Sequence, residues 1–187
     1  MKKGLILLAA FMLTGLTAFS QTKDKIITKT AYINFFSHTS IEDISADNYA
    51  VVSSITTSTG KVVFSVPMQS FKFEKSMMQK HFNRADFLDT KQFPKAKFKG
   101  EITNLSDVDF KKNGTYNATF EGEMTIRGVT KKVTEKGNIQ MKDGLITIDL
   151  KLKVALADYK IALKKGKPSK NVAKEIDVTI IAEYKSI

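Results

Sequence analysis

The 187-residue chain has no cysteine and no tryptophan, and only two histidines. Without cysteine there is no disulfide, no thiolate metal site and no lipid-modified amino-terminal cysteine. A domain built this way is held by its core alone, and residues 21–187 are enough to bury a sizeable one. The two histidines, His38 and His81, are far apart and match no metal-ligand spacing. Each reads more simply as a loop or hydrogen-bonded residue, so neither a metal nor a cofactor is expected. A glycine-rich phosphate loop is missing too. So is any Lys/Arg cluster interleaved with stacking aromatics, which sets nucleic acid aside. No proline- or serine-rich linker and no internal repeat divides the chain, and a single domain follows from its length.

What is present begins with a targeting pattern. Lys2 and Lys3 precede an apolar run from Leu5 to Phe19, and Ala18-Phe19-Ser20 before Gln21 supplies small residues at the cleavage positions. Residues 1–20 therefore read as a signal peptide, since the run is short for a membrane helix and turns polar at once. The expectation is export of residues 21–187, to the periplasm or the medium. The formal charge is +11, with lysines spread along every strand-like segment. A solvated outer face is the simplest reading. Attraction to an anionic membrane surface or an anionic head group is the sharper one.

Period-two alternation dominates the rest. Ala31, Ile33 and Phe35 share one face of a first strand, and Tyr49 to Thr57 reads as a second. Val62, Phe64, Val66 and Met68 follow on one face of a third, with Pro67 marking an edge or bulge. Later strands carry Ala96, Phe98, Gly100 and Ile102; then Tyr116, Ala118, Phe120, Gly122, Met124 and Ile126; then a polar run from Val129 to Met141. Ile146, Ile148, Leu150, Leu152, Val154 and Leu156 give the cleanest alternation, and Val178, Ile180, Ala182 and Tyr184 the last. Asn113-Gly114 and Asp143-Gly144 are hairpin signals, and Arg127-Gly128 a turn. About eight one-face-apolar strands joined mostly by short turns predict an all-β fold, an eight-stranded antiparallel barrel. Such a barrel is either filled by its own side chains or holds one small ligand.

One stretch breaks the alternation. Glu74 to Phe82 reads as a short helix with Met77, Met78 and Phe82 near one face, and Asp86 to Thr90 as a turn. Inserted between two strands, it predicts a lid over one mouth of the barrel. Asp86, Asp89 and His81 could be read as an acid–base set. Carboxylates flanking Phe87-Leu88 more often satisfy backbone N–H groups in a turn, so a hydrolase or isomerase ranks last.

This stretch also carries a likeness. His81-Phe82-Asn83, Asp86-Phe87-Leu88-Asp89 and Phe93-Pro94-Lys95-Ala96-Lys97-Phe98 resemble the HL…DFFD…YPxAxF signature of the YceI-like family. Gly122 to Lys131 is similar to its second signature, GxLTIRGVTK. The family's Asp-x-x-His-Ser opening stands here as Ala31-Tyr32-Ile33-Asn34-Phe35. The resemblance spans Ile26 to Tyr184 and implies an exported, lipocalin-like barrel whose lipophilic interior binds a polyisoprenoid chain. On that reading the chain is a non-enzymatic carrier of a quinone or polyprenyl lipid. Its partners would be that ligand, transiently an anionic membrane surface, and, left open by the sequence, a second copy in a homodimer.

An isoprenoid tail requires a long apolar tunnel, which inward side chains of successive strands can supply. The candidate lining is Ile33, Phe35, Val62, Phe64, Val66, Phe98, Phe120, Ile148, Leu150, Leu152, Val178 and Ile180, with Met77, Met78 and Phe82 near the mouth. An anionic head group could meet Lys or Arg at the rim; Arg127 fits by motif position, with an outer-face salt bridge as its other reading. Against the carrier stands a filled barrel acting as a structural or protein-binding module in envelope stress. Ordinary core packing would explain each lining residue in that case, and thirteen phenylalanines are enough bulk to plug a barrel.

Overall fold

A computed structural model describes residues 24–161, 163–164, 167–168 and 171–185; the segment read as a signal peptide lies outside them. The strands are β1 (Lys25–His38), β2 (Asp43–Thr56), β3 (Lys61–Pro67), β4 (Lys72–Phe73), β5 (Lys95–Ile102), β6 (Gly114–Ile126), β7 (Val129–Lys142), β8 (Leu145–Ala155), β9 (Leu163–Lys164), β10 (Lys167–Pro168) and β11 (Glu175–Lys185). The helix α1 (Ser76–Asn83) sits between β4 and β5. Eight long strands run in the order β1-β11-β8-β7-β6-β5-β3-β2, and β1 pairs with β2 to close the ring. Every pairing is antiparallel. The predicted eight-stranded barrel is the fold. Its short extras are β4, an added edge on β2, and the two-residue pair β9–β10.

Local chemistry sets the connections. Arg127 and Gly128 (φ 49° and 74°) and Asp143 and Gly144 (φ 49° and 81°) both take left-handed conformations. These are two-residue turns of the primed type, whose twist matches that of the flanking strands. They place Ile126 opposite Val129 and Lys142 opposite Leu145. Asn113-Gly114 behaves differently from its hairpin signal. It ends a long connection, residues 103–113, that contains a 3-10 turn at Leu105–Asp107. The Asn113 side chain instead bonds Asp143, donating to its carboxylate and accepting from its backbone N–H, both at 3.0 Å. The dipeptide thus ties one loop to the neighbouring hairpin.

β2 begins six residues before the sequence reading of it, at Asp43 rather than Tyr49. Its polar start hides the alternation, because the inward residue at its centre is Asn48, fully buried. That amide donates to the Pro67 carbonyl at 2.9 Å and accepts from Ala50 N–H at 3.0 Å. Between β5 and β6, Gly100 faces Gly122. A Cβ on either would lie 2.3–2.4 Å from the opposite backbone carbonyl, so only glycine allows this approach.

The interior divides into two halves. At one end Ile55, Val62, Ile139, Ile146, Ile148, Ala182 and Tyr184 are all fully buried, and they fill the barrel. At the other end, toward α1, the wall splays. The β7–β8 ladder stops at Gly137 opposite Leu150, and residues 129–136 of β7 have no partner on β8. Losing that seam widens the circumference, and side chains no longer meet across the axis.

Candidate functional site

The splayed half encloses a cavity of about 1110 Å³. That is slightly above the usual range for small-molecule sites. Ile33 and Phe35 of β1, Phe64 and Val66 of β3, Phe98 of β5 and Phe120 of β6 line one side. Leu150 and Leu152 of β8 with Val178 and Ile180 of β11 line the other. Met77, Met78 and Phe82 border it from α1. Of the candidate lining residues, Val62 and Ile148 do not reach the cavity; both are fully buried in the filled half below it. Alternation assigns an inward face correctly but carries no information about depth along the axis, which is why these two were grouped with the rest.

The mouth is held by aromatic packing. Phe82 stacks on Phe35 with ring centres 5.7 Å apart and planes 7° apart. Phe71 and Phe73 meet it at 5.4 and 5.1 Å in tilted geometry. Such contacts add to the area they bury, and here they anchor a helix of one free face to the barrel rim. Phe71 and Phe73 were not among the sequence candidates, although their F-x-F spacing beside the helix was the available signal. Met78 is half-buried under the lid, whereas Met77 is 64% exposed. The turn after α1 is tied by Thr90, whose hydroxyl donates to Asn83 Oδ1 at 2.8 Å. Asp89 takes a left-handed φ of 46° there, and its carbonyl accepts from Gln92 and Phe93 N–H.

Among the described residues no hydrogen bond joins Asp86, Asp89 and His81 to one another. Asp86 is exposed and pairs with Arg84 at 2.8 Å. His81 is exposed at the edge of the cavity mouth, and Asp89 serves the turn. His38 pairs with Asp43 at 2.6 Å at the tip of β1–β2. Among the described residues no three His, Asp or Glu side chains gather as a metal site.

Arg127 makes no salt bridge among the described residues and is committed to backbone carbonyls instead. Its guanidinium donates to the Lys160 carbonyl and, at 3.1 Å, to the Ala85 carbonyl. One side chain thereby clamps the lid turn to the segment after β8. Hydrogen bonds from a charged donor contribute about 1.5–3 kcal/mol when sheltered and less at an exposed site such as this. Arg127→Ala is expected to raise amide exchange across residues 84–93 about tenfold, read by hydrogen–deuterium exchange, with the barrel strands unchanged. Lysine at this position is not expected to restore protection, because a single ammonium cannot span both carbonyls.

Glu135, half-buried on β7, also borders the cavity and was missed because β7 reads as a polar strand. Its position in the alternation Val133, Glu135, Gly137, Ile139 was the available signal. Burial raises its carboxyl above the ordinary value of 4.5. Tyr159, buried in the 3-10 turn Leu156–Tyr159, is pushed up to about 12, first by burial and then by the charges of Asp158 and Glu135. With the folded value raised, the carboxyl is neutral in both states at low pH and adds no pH-dependent cost there. Stability is lost as pH climbs through the folded value, because ionisation then occurs in the wall. Glu135→Gln is therefore expected to raise the melting temperature more at about pH 8 than at about pH 4, in paired thermal melts.

Residues 25–184 match the model of the YceI-like domain. The chain belongs to the YceI-like family. Solved structures share its fold. A polyisoprenoid binding domain from Saccharophagus degradans implicated in plant cell wall breakdown aligns with a TM-score of 0.73 at 13% identity, covering 88% of this chain and 99% of that one. BcnA of Burkholderia cenocepacia aligns at 0.69 with 16% identity, covering 82% and 95%. The YCEI protein of Campylobacter jejuni aligns at 0.60 with 20% identity, covering 79% and 88%. No curated protein matches the chain. In this YceI-like barrel the two family signatures fall on the mouth. The first forms the end of α1, its turn and the start of β5; the second forms the end of β6, the Arg127-Gly128 turn and the start of β7.

Proposed function

We propose that this YceI-like protein is an exported, non-enzymatic carrier that holds a long isoprenoid chain, of a quinone or polyprenyl lipid, in the hollow half of its barrel. The observation that carries this reading is the cavity itself, about 1110 Å³ and walled mainly by Phe, Ile, Leu and Val. Each methylene moved from water into such a wall contributes about 0.8 kcal/mol, so a tail binds without one decisive polar contact. The likeness to the Saccharophagus polyisoprenoid binding domain supports the same ligand class. The pattern in residues 1–20 supports export. A transient membrane contact fits the rim, where Ile41 and Met77 are 62% and 64% exposed beside Lys75 and Lys80.

A series of prenyl quinones of increasing tail length, competed against the neutral fluorophore diphenylhexatriene, tests the ligand. Affinity should rise steeply with each added unit and level off once the tail fills the cavity. Affinity independent of tail length would contradict the carrier. Intact mass of protein from the cell envelope tests export; the chain should begin at Gln21, and a cytosolic chain retaining Met1 would contradict it.

A further inference from the structure

Three acids border the cavity, and two of them are paired. At the mouth, Glu42 lies 3.9 Å from Lys75 and Asp86 lies 2.8 Å from Arg84. Glu135 is different. It borders the cavity from β7 and makes no hydrogen bond or ion pair among the described residues. It stands at the first inward position past Gly137, the last residue of β7 bridged to β8. Leu152 and Val154 border the same cavity from β8, across the seam. An apolar residue would complete this wall at lower cost, since a guest that fills the space takes the half-buried carboxyl out of water. Among the described residues nothing pairs with this carboxyl, which borders a space that accepts an apolar guest.

We infer that Glu135 is a hydrogen-bonding anchor for a hydroxyl group on the bound molecule, so that the cavity selects a long-chain alcohol over the matching hydrocarbon. A hydroxyl both donates and accepts, and so satisfies the carboxyl whether it is ionised or neutral. An ammonium suits only the ionised form and a carbonyl only the neutral one. A phosphate is repelled by the ionised form and finds its cations at the mouth instead, on Lys75 and Arg84. The inference rests on the apolar-ligand reading above and adds to it the polar group that the ligand carries.

Phytanol and phytane share one branched chain and differ by a hydroxyl, and their competition against diphenylhexatriene tests the anchor. In the unaltered protein phytanol should bind about three- to tenfold more tightly than phytane, the worth of one net hydrogen bond. Glu135→Leu should bring that ratio close to one, whereas Glu135→Gln, whose amide also donates and accepts, should retain most of it. Circular dichroism of both variants shows that the barrel is intact. A ratio near one in the unaltered protein, or an unchanged ratio in Glu135→Leu, overturns the inference and leaves the carrier standing. Failure of both compounds to displace the fluorophore, or of the fluorophore to bind, overturns the carrier and the anchor together.

Discussion

A Leu152→Trp/Val178→Trp double variant is expected to lose binding of long apolar ligands by roughly a hundredfold while keeping its fold. The two residues face each other across β8 and β11 and both line the cavity, so two indoles would stand side by side midway along it. Displacing the equivalent of three or four methylenes, at about 0.8 kcal/mol each, accounts for that loss. The substitutions fill empty space rather than crowd a packed core, so the melting temperature should hold or rise. Ligand competition and thermal melts on the same sample separate the two effects. Unchanged binding in a folded double variant would place the ligand elsewhere. The single Val178→Trp variant, with a smaller loss, keeps the comparison available if the pair does not fold together.

Tyr184→Ala should have the largest effect on stability, a loss of about 3–5 kcal/mol in urea unfolding. Tyr184 is fully buried in the filled half, and its hydroxyl lies 2.6 Å from Ser53 Oγ. Ser53 gives its own proton to the Val63 carbonyl at 2.9 Å, so the tyrosine is the donor to Ser53. Burial pushes the phenol well above its ordinary value, and the proton stays in place. Tyr184→Phe removes that bond and little volume, and should cost about 1 kcal/mol. The gap between the two variants measures packing against hydrogen bonding. It also tests the division of the barrel, because a truncation of the same size at Phe98, on the cavity wall, should cost much less.

Why the barrel was legible and the cavity was not follows from what each depends on. Alternation along β6, β8 and β11 identifies an inward face residue by residue, and closure follows from counting such faces against a single short helix. The hollow, by contrast, depends on where a ladder ends. Nothing in the alternation of β7 says that its pairing with β8 stops at Gly137, so Val62 and Ile148 looked equivalent to Phe64 and Leu150. The start of β2 was hidden for another reason: its central inward residue is Asn48, a polar side chain whose hydrogen bonds exist only once Pro67 is in place. Asn113-Gly114 misled because turn propensity is local, whereas its partner Asp143 lies thirty positions away. Arg127 sat in a recognisable motif, but its two carbonyl partners come from segments far apart in the chain.

Native mass spectrometry with organic extraction, applied to protein released gently from its own cell envelope, tests the central claim most directly. The account predicts a co-purifying hydrophobic species at close to one per chain, extractable into organic solvent and bearing an isoprenoid tail. A bare protein mass that persists after incubation with prenyl quinones and polyprenyl alcohols would contradict it.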